Sequence, residues 1–271
     1  MISFKKKLEK IADDTDLYLK KLLSKKNNLS LMPSIKYSVF SGGKRFRSAI
    51  IVNTGKIFDI SYKNLIAVSA AVECIHSYSL IHDDLPSMDN DDFRRGRLST
   101  HKKYNEFTAI LAGNSLLTLA FQILSNKDLK LSPKIKNDLI STLSVYSGFS
   151  GLAGGQFFDL TYENKKISKK KIIDIQKNKT GKLFSFCCES SGIIKKQSLN
   201  KRKKLRDLGL DIGLLFQIAD DLLDFKGDSK KLGKPTKNDK KKGKPTLVNL
   251  IGHNKTLNLA KNLKNKINKK I

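Results

Sequence analysis

Residues 74–97, CIHSYSLIHDDLPSMDNDDFRRGR, decide how the rest of the chain is interpreted. Few helix breakers occur before Pro86, so residues 65–85 are predicted to form a long, largely buried helix. The aspartates after it are followed directly by arginines. Two like charges about 4 Å apart repel by about 4 kcal/mol at an effective dielectric near 20. Carboxylates at the end of an apolar helix therefore require a cationic partner.

Helical patterns continue on both sides of this segment. Apolar residues recur at helical spacing, and we find no convincing run of alternating strands and no short repeat. Further helices are predicted over 3–25, 105–125, 134–160, 169–195, 203–225 and 255–270, with a glycine-rich interruption at 154–155. The chain of 271 residues is therefore predicted to be all-α, a bundle of about eight to ten helices.

The segment 226–246 differs from the rest of the chain. It is rich in lysine, glycine and proline and has almost no apolar residues. This composition is typical of a mobile polar loop over one end of the bundle, and a solvated linker has the same composition.

The formal net charge is +28, which by itself suggests an anionic partner. Only seven of the 53 basic residues are arginines, and a compositional drift of the gene toward lysine explains the excess. Five of those seven arginines lie in two short segments, 42–47 and 94–97. Because the guanidinium fork matches phosphate oxygens in a way that lysine cannot, these two segments are candidate phosphate sites.

Nothing in the sequence points to secretion or to a membrane. The three cysteines form no CxxC pair and are predicted to be reduced thiols, which favours the cytoplasm. The N-terminus has no apolar signal-peptide core. The most apolar stretch, 108–124, is interrupted by polar residues, so we expect a buried helix and no membrane span.

A second aspartate cluster lies at residues 216–228, FQIADDLLDFKGD. Gln217, Asp221 and Asp224 follow an i, i+4, i+7 spacing, and Asp220 is one turn before Asp224, so the polar groups share one face of a helix. Hard carboxylate oxygens with no His or Cys cluster favour magnesium over zinc or iron. A solvated helix cap or a calcium-like loop explains one such cluster, but two clusters that each end a helix favour a metal site.

Candidate phosphate-binding groups accompany the clusters. Gly42 and Gly43 allow close backbone approach and precede the cations Lys44, Arg45 and Arg47 in GGKRFR. Arg94 and Arg95 follow the first cluster, Lys179 and Thr180 lie on a separate predicted helix, and Lys234 and Lys244 lie in the polar segment. The number of cations is sufficient for two diphosphates.

These motifs resemble the short-chain trans-prenyl diphosphate synthases of the bacterial farnesyl and geranylgeranyl type. Residues 74–97 are similar to the first aspartate-rich region of that family, with the longer bacterial spacer between Asp84 and Asp89, and residues 216–228 are similar to the second. GGKRFR, GGQFFD at 154–159, Lys179-Thr180, Lys234 and Lys244 complete the pattern. The resemblance spans residues 40 to 250.

The resemblance implies one polyprenyl synthetase domain over residues 1–271, with an isoprenoid synthase-like bundle around a deep central cavity. It implies a prenyltransferase that condenses dimethylallyl and geranyl diphosphates with isopentenyl diphosphate to give farnesyl diphosphate. About three Mg²⁺ ions per site, for which Mn²⁺ can substitute, would bridge the clusters to the allylic diphosphate. The implied ligands are Asp83, Asp84, Asp89, Asp220, Asp221 and Asp224.

Other roles follow from the same resemblance. The implied catalytic residues are Asp83, Asp84, Asp89, Arg94, Lys179, Thr180, Gln217 and Lys234. The implied substrate-binding residues are Lys44, Arg47, His76, Arg94, Arg95, Lys179, Thr180, Gln217, Lys234 and Lys244. Thr180 and Gln217 would stabilise the allylic cation with oxygen dipoles. His76 shares a face with Asp83 at i, i+7, although a lone histidine on an apolar helix is more often a core residue.

Product length is predicted from the helix before the first cluster. Ser79 lies one turn before Asp83, and Tyr78 lies five residues before it. A tyrosine there forms a floor and the small serine leaves room above it, the arrangement that the resemblance associates with a fifteen-carbon product. Typical members extend further at the C-terminus, where residues pack near the mouth of the active site.

Several alternatives stay open. A geranylgeranyl or geranyl diphosphate synthase has the same chemistry and another product length. A basic nucleic-acid-binding protein fits the charge, but the lysines are dispersed and no recognition motif is present, so no nucleic-acid partner is expected. A catalytically silent partner subunit is the third alternative, and the intact clusters argue against it. The resemblance also implies a homodimer.

Overall fold

Helices make up nearly all of the computed structural model, which describes residues 3–24, 30–227 and 243–270. They are α1 (Phe4–Ser24), α2 (Met32–Val39), α3 (Phe46–Ile57), α4 (Tyr62–Asp83), α5 (Thr100–Lys103), α6 (Glu106–Ser125), α7 (Pro133–Ser147), α8 (Leu152–Thr161), α9 (Lys169–Gln176), α10 (Lys182–Ile194), α11 (Leu199–Lys226), α12 (Leu247–Ile251) and α13 (His253–Asn268). A π-helical turn, Lys177–Gly181, joins α9 to α10. The all-α prediction is confirmed. Without the short helices α5 and α12, the described ranges hold eleven α-helices against the expected eight to ten.

The described residues separate into two compact units. The first contains those up to Ile140 together with Ile193–Lys196, and the second contains the described residues of 141–192 and those from Gln197 onward.

Helix α4 is the central element of the first unit. It packs against α6, α3 and α1, and its residues are buried on almost every side. A helix that is apolar all round is stable only inside a core, which explains why α4 shows no amphipathic stripe. Its buried position fixes the location of the aspartates at its C-terminal end.

Helix α11 is the central element of the second unit, where α13, α12, α9 and the π-helical turn pack against it. One apolar cluster joins the four helices, with Leu214, Ile218 and Leu222 of α11 at its centre. Leu263 and Ile267 of α13 are buried in the same cluster. The second aspartate region is therefore held by a helix that is anchored along its length.

Two local predictions differ from the structure. The predicted helix 134–160 is broken at residues 148–151, and Gly154 and Gly155 lie inside α8, not at the interruption. The break belongs at Gly151, where a Cβ would lie 2.1 Å from the carbonyl oxygen of Tyr146. A short hairpin was also not predicted. Its strands, β1 (Phe93–Arg94) and β2 (Arg97–Leu98), have two residues each, which is too few for an alternating pattern.

Two helices are long and apolar enough to cross a membrane by length and composition, α4 and α6. In α4, 83% of the apolar window is buried inside the protein, as in the core helices of soluble proteins. One or two such helices are weak evidence for a membrane span.

The two arginines outside the candidate phosphate segments have a structural role. Arg202 and Arg206 of α11 both donate to Glu189 of α10, at 3.2 Å and at 3.0 to 3.1 Å. The Tyr146 hydroxyl donates to the same carboxylate at 2.7 Å. Glu189 is 0% exposed, so this network holds α7, α10 and α11 together through a buried charge.

Candidate active site

The end of α4 and the loop after it hold the first aspartate cluster. Asp83 is the last residue of the helix and Asp84 caps it. The loop then folds back, because the Asp89 amide donates to the Asp83 carbonyl at 2.8 Å and the Asp91 amide donates to the Asp84 carbonyl at 3.2 Å. These backbone hydrogen bonds bring the aspartates of the loop close to those at the end of the helix.

Asp84 is the buried member of this group, at 2% exposure. The Arg94 Nε donates to both of its oxygens, at 3.0 and 3.3 Å, and the Arg94 Nη2 also bonds to it. Burial raises the pKa of Asp84, and the Arg94 guanidinium opposes that rise. Arg94 also lies 3.6 Å from Asp91, so one cation partly neutralises two carboxylates.

The hairpin after the cluster presents Arg94 and Arg95. Its turn is Arg95-Gly96, with φ of 54° and 74°, the pair of positive values that a two-residue type I′ turn requires. Arg95 extends to the GGKRFR segment, where its guanidinium donates to the Gly42 carbonyl and to the Ser41 hydroxyl. Gly43 has a φ of 112°, a backbone conformation that favours glycine. The two arginine-containing segments therefore meet.

Arg45 is not a phosphate ligand in this arrangement, which corrects its grouping with Lys44 and Arg47. It has a left-handed φ of 44°, and its side chain turns into the core. There it donates to Asp16 at 2.9 Å and to Glu73 at 3.3 Å. The basic residues of GGKRFR therefore differ in their surroundings. The Lys44 side chain is exposed, that of Arg45 is buried in the core, and that of Arg47 is half-buried on α3.

His76 is half-buried on α4 and lies among these arginines. Burial, and then the charges of Arg47 and Arg95, lower the pKa of His76 well below its usual value of 6.5. Burial and the Arg45 charge lower the pKa of Arg95 to about 10. The histidine is therefore neutral beside arginines that remain charged at neutral pH. This local excess of positive charge favours an anionic ligand.

Tyr78 and Ser79 are both buried on α4. The Tyr78 ring packs edge-on against His82, with ring centroids 5.4 Å apart. His82 in turn is 3.2 Å from the Ile110 carbonyl of α6. The Tyr78 ring is therefore held against His82, which lies one helical turn nearer to the first aspartate region.

In the second unit, Asp221 is at the centre of a hydrogen-bonded chain. Gln217 donates to one of its oxygens at 2.9 Å, and Gln176 donates to the other at 2.8 Å. The Thr180 hydroxyl donates to the side-chain Oε1 of Gln217 at 2.9 Å. The π-helical turn begins directly after Gln176 and ends after Thr180, so it brings both side chains to α11. Such turns are frequent at functional sites.

The other two aspartates of this region differ in burial. Asp220 is half-buried, whereas Asp224 is buried. The Asp224 Oδ1 is shielded from solvent and has no hydrogen-bond partner among the described residues. A buried carboxylate oxygen without a partner is costly, which indicates that a cation or water completes it.

Asp159 and Gln176 are site residues that the sequence analysis missed. Lys179 donates to Asp159 at 2.6 Å, and Lys244 lies 3.7 Å from the same oxygen, so one carboxylate of α8 positions two of the predicted lysines. Asp159 ends the GGQFFD motif, which was a usable signal. Gln176 carries no motif of its own. The predicted Lys234, and most of the predicted loop 226–246, lie outside the described residues.

Comparison with known proteins supports the resemblance. The sequence model of the polyprenyl synthetase family matches residues 29–271. The chain belongs to the polyprenyl synthetase family. A farnesyl diphosphate synthase of Micrococcus luteus is a relative with 41% identity, over 82% of this chain and 76% of its own length.

Solved structures of related prenyl synthases have a fold similar to that of this chain. An FPP/GFPP synthase of Zymomonas mobilis has a TM-score of 0.87 at 36% identity, covering 98% of this chain and 91% of its own. A geranyltransferase of Helicobacter pylori, complexed with magnesium and isoprenyl diphosphate, has a TM-score of 0.84 at 30% identity, covering 100% of this chain and 91% of its own. The isoprenoid synthase-like fold of this polyprenyl synthetase is thereby confirmed.

Proposed function

We propose that this polyprenyl synthetase makes farnesyl diphosphate by condensing dimethylallyl and then geranyl diphosphate with isopentenyl diphosphate. The observation that carries the proposal is that cationic groups are built in near both aspartate regions. Arg94 bonds to Asp84 in the first region. In the second, the π-helical turn that carries Lys179 is bonded through Thr180 to Gln217, which also bonds to Asp221. The relative in Micrococcus luteus has that activity in its name. Carboxylates and cations together match a metal-bound diphosphate.

The residues fit magnesium that arrives with its substrate. Among residues 3–24, 30–227 and 243–270, no three His, Cys, Asp or Glu side chains form a ready metal cage. Magnesium often takes only one or two carboxylates and keeps water and substrate phosphates as its other ligands. Asp83, Asp89, Asp220 and Asp224 would hold it. The Helicobacter pylori relative contains magnesium with isoprenyl diphosphate, whereas the number of ions and the use of Mn²⁺ remain part of the proposal. When bound, the metal withdraws charge from the leaving diphosphate.

Asp84 and Asp221 have a different role in the proposal. Arg94 occupies both oxygens of Asp84, and two glutamines occupy both oxygens of Asp221. We assign these two carboxylates to positioning: they orient Arg94, Gln217 and Gln176. This positioning role is added to the prediction that all six aspartates are direct ligands, because each carboxylate oxygen has a second lone pair that can bind a metal.

The chain's own groups then promote the reaction. Lys179, Arg94 and Lys234 neutralise the allylic diphosphate, so the C–O bond to carbon 1 breaks and pyrophosphate leaves. Arg47, Arg95, Lys44 and the neutral His76 hold isopentenyl diphosphate, whose double bond attacks the allylic cation. A proton then leaves to pyrophosphate and the new double bond forms. The Thr180 and Gln217 oxygens stabilise the cation.

Product length follows from Tyr78 and Ser79, which are buried on α4 before the first aspartate region. Because Tyr78 is supported by His82, the growing chain stops there and farnesyl diphosphate is the proposed end product. A geranylgeranyl product is the weaker alternative.

We also infer a cytoplasmic homodimer in which the chain acts as one domain. The three cysteines are free and buried, which fits a reducing compartment. Helix α6 exposes Phe107, Ile110 and Leu111, an apolar strip that a second copy would cover. Size-exclusion chromatography with light scattering tests the dimer, and a monomer at micromolar concentration would contradict it.

The function is tested by incubating the purified chain with isopentenyl and dimethylallyl diphosphates, with magnesium and with excess chelator. A fifteen-carbon diphosphate, with two pyrophosphates released for each molecule of it, is expected with magnesium only. Asp207→Asn is a control variant, since Asp207 lies on α11 and forms an exposed ion pair with Lys203. A wild-type chain that releases no pyrophosphate under either condition would refute the proposal.

A further inference from the structure

Gln156 is a buried polar residue with no assigned role in the second unit. It lies on α8 at 4% exposure, and both its Nε2 and its Oε1 are shielded from solvent. No described residue forms a hydrogen bond with either atom. A carboxamide normally makes several hydrogen bonds, and a buried one that makes none is strongly unfavourable. Its hydrogen-bond partner is therefore either a bound ligand or a buried water molecule.

The position of Gln156 on α8 identifies what it faces. Its neighbour Gly155 is in such close contact with the π-helical turn that a Cβ there would lie 2.2 Å from the Lys179 amide nitrogen. Residues three apart on a helix are neighbours on its surface. Gln156 therefore lies beside Asp159, which holds the Lys179 ammonium at 2.6 Å.

The charges at this place favour an anion. Lys179 and Lys244 both approach the single carboxylate of Asp159, so cations outnumber anions. A phosphate oxygen that reaches the Lys179 ammonium is within range of a neighbouring amide N–H. Hydrogen bonds from neutral donors to charged acceptors are stronger than neutral pairs.

We propose that Gln156 is a further substrate-binding residue, whose Nε2 donates to an oxygen of the allylic diphosphate beside Lys179. The inference rests on the proposed function and adds a neutral donor to its cationic groups. Without substrate the carboxamide costs stability, and with substrate it is satisfied. A buried structural water is the competing explanation.

Gln156→Met separates these two explanations, because methionine keeps the length of the side chain and removes both polar atoms. Replacing an unsatisfied buried group by an apolar one is close to neutral or stabilising. The free variant is therefore expected to unfold at the wild-type temperature or above it. The increase in unfolding temperature caused by magnesium with inorganic pyrophosphate should shrink, and KM for geranyl diphosphate should rise about 10-fold or more.

Ser191→Ala is the matched control. Ser191 is also in the second unit, is fully buried, and its hydroxyl has no partner among the described residues. Because it lies on α10 and belongs to no proposed binding group, the pyrophosphate response and KM should stay at wild-type values.

A Gln156→Met chain that unfolds several degrees below wild type, with an unchanged pyrophosphate response, would overturn the inference in favour of a structural water. If Gln156→Met does not fold, Gln156→Glu is the second variant. A carboxylate of the same size repels diphosphate, so KM for geranyl diphosphate should rise. An unchanged KM would refute a substrate-binding role for Gln156. A wild-type chain without turnover would instead refute the proposed function. Wild-type turnover with an unaffected Gln156→Met refutes this inference alone.

Discussion

Single residues show how similar side chains acquire different roles. Five of the seven arginines are clustered in the two segments selected from the sequence, yet Arg45 supports the core and Arg94 and Arg95 meet other parts of the site. The difference for Arg45 is its partner Glu73, 28 residues later, which no local pattern reveals. Residue type therefore predicts what a side chain can bind, and partners distant in the sequence determine what it does bind.

Glu189 gives a prediction about stability and pH. Burial acts to raise its pKa, but hydrogen bonds from Arg206 and Tyr146 and the charges of the arginines hold the pKa of Glu189 below its usual value of 4.5. A carboxylate with a lowered pKa stabilises the fold above that usual value, and the contribution is lost as the pH falls through the lowered one. Glu189→Gln should therefore cost about 1–3 kcal/mol at neutral pH.

Thermal unfolding of wild type and Glu189→Gln from neutral pH to about pH 3 measures this effect. The difference between the two unfolding temperatures should narrow below about pH 4.5. A difference that stays constant over the whole range would show that the network does not act through the ionised carboxylate.

Tyr78 gives a prediction about product length. Tyr78→Ala removes the ring that packs on His82 and opens space below Ser79, so products longer than fifteen carbons are expected. Chromatography of the dephosphorylated products measures their lengths. Tyr62→Ala is a suitable control. Tyr62 lies at the start of α4, is partly exposed, and donates to Asp14 of α1. An unchanged product from Tyr78→Ala would refute the floor.

Among the elements, the long helices were predictable and their interruptions were not. The predicted ranges 65–85, 105–125 and 203–225 fall on α4, α6 and α11, because apolar periodicity persists over many turns. The break at residues 148–151 and the hairpin depend on glycine geometry and on a few backbone hydrogen bonds. The π-helical turn is invisible to periodicity, although it carries Lys179 and Thr180.

The close contact between α8 and the π-helical turn gives a prediction about stability and activity. In Gly155→Ala the new methyl group would lie 2.2 Å from the backbone nitrogen of Lys179, so α8 and the turn must separate. Overpacking of this kind costs about 1–3 kcal/mol. Because the turn carries Lys179 and Thr180, activity should fall more than stability alone explains.

Urea denaturation and kcat/KM of Gly155→Ala test this prediction together. Gly252→Ala is the comparison, since a Cβ there meets nothing within 4 Å, its φ of 80° is strained, and it belongs to no proposed binding group. Wild-type kcat/KM in Gly155→Ala would show that the close approach of α8 has no role in the site.

For the whole molecule, the sequence predicted the family and both aspartate regions, and the structure describes how each region is built within its unit. Gln176 was not predictable, because its role is defined by Asp221 of another element. Asp159 lies in the GGQFFD motif, but its pairing with Lys179 of the π-helical turn could not be predicted from that motif. The net charge of +28 needs no nucleic-acid partner under this account, since the functional cations are a small subset of the total.

The central claim is that both aspartate regions act on one and the same diphosphate. A double-mutant cycle with Asp83→Asn and Asp220→Asn, read as kcat, tests it most directly. Residues that act as a unit give strongly non-additive losses. We predict that each single variant loses about 100-fold or more and that the double variant is little slower than the slower single one. Losses that multiply in the double variant would show that the two regions act independently, and would contradict the account.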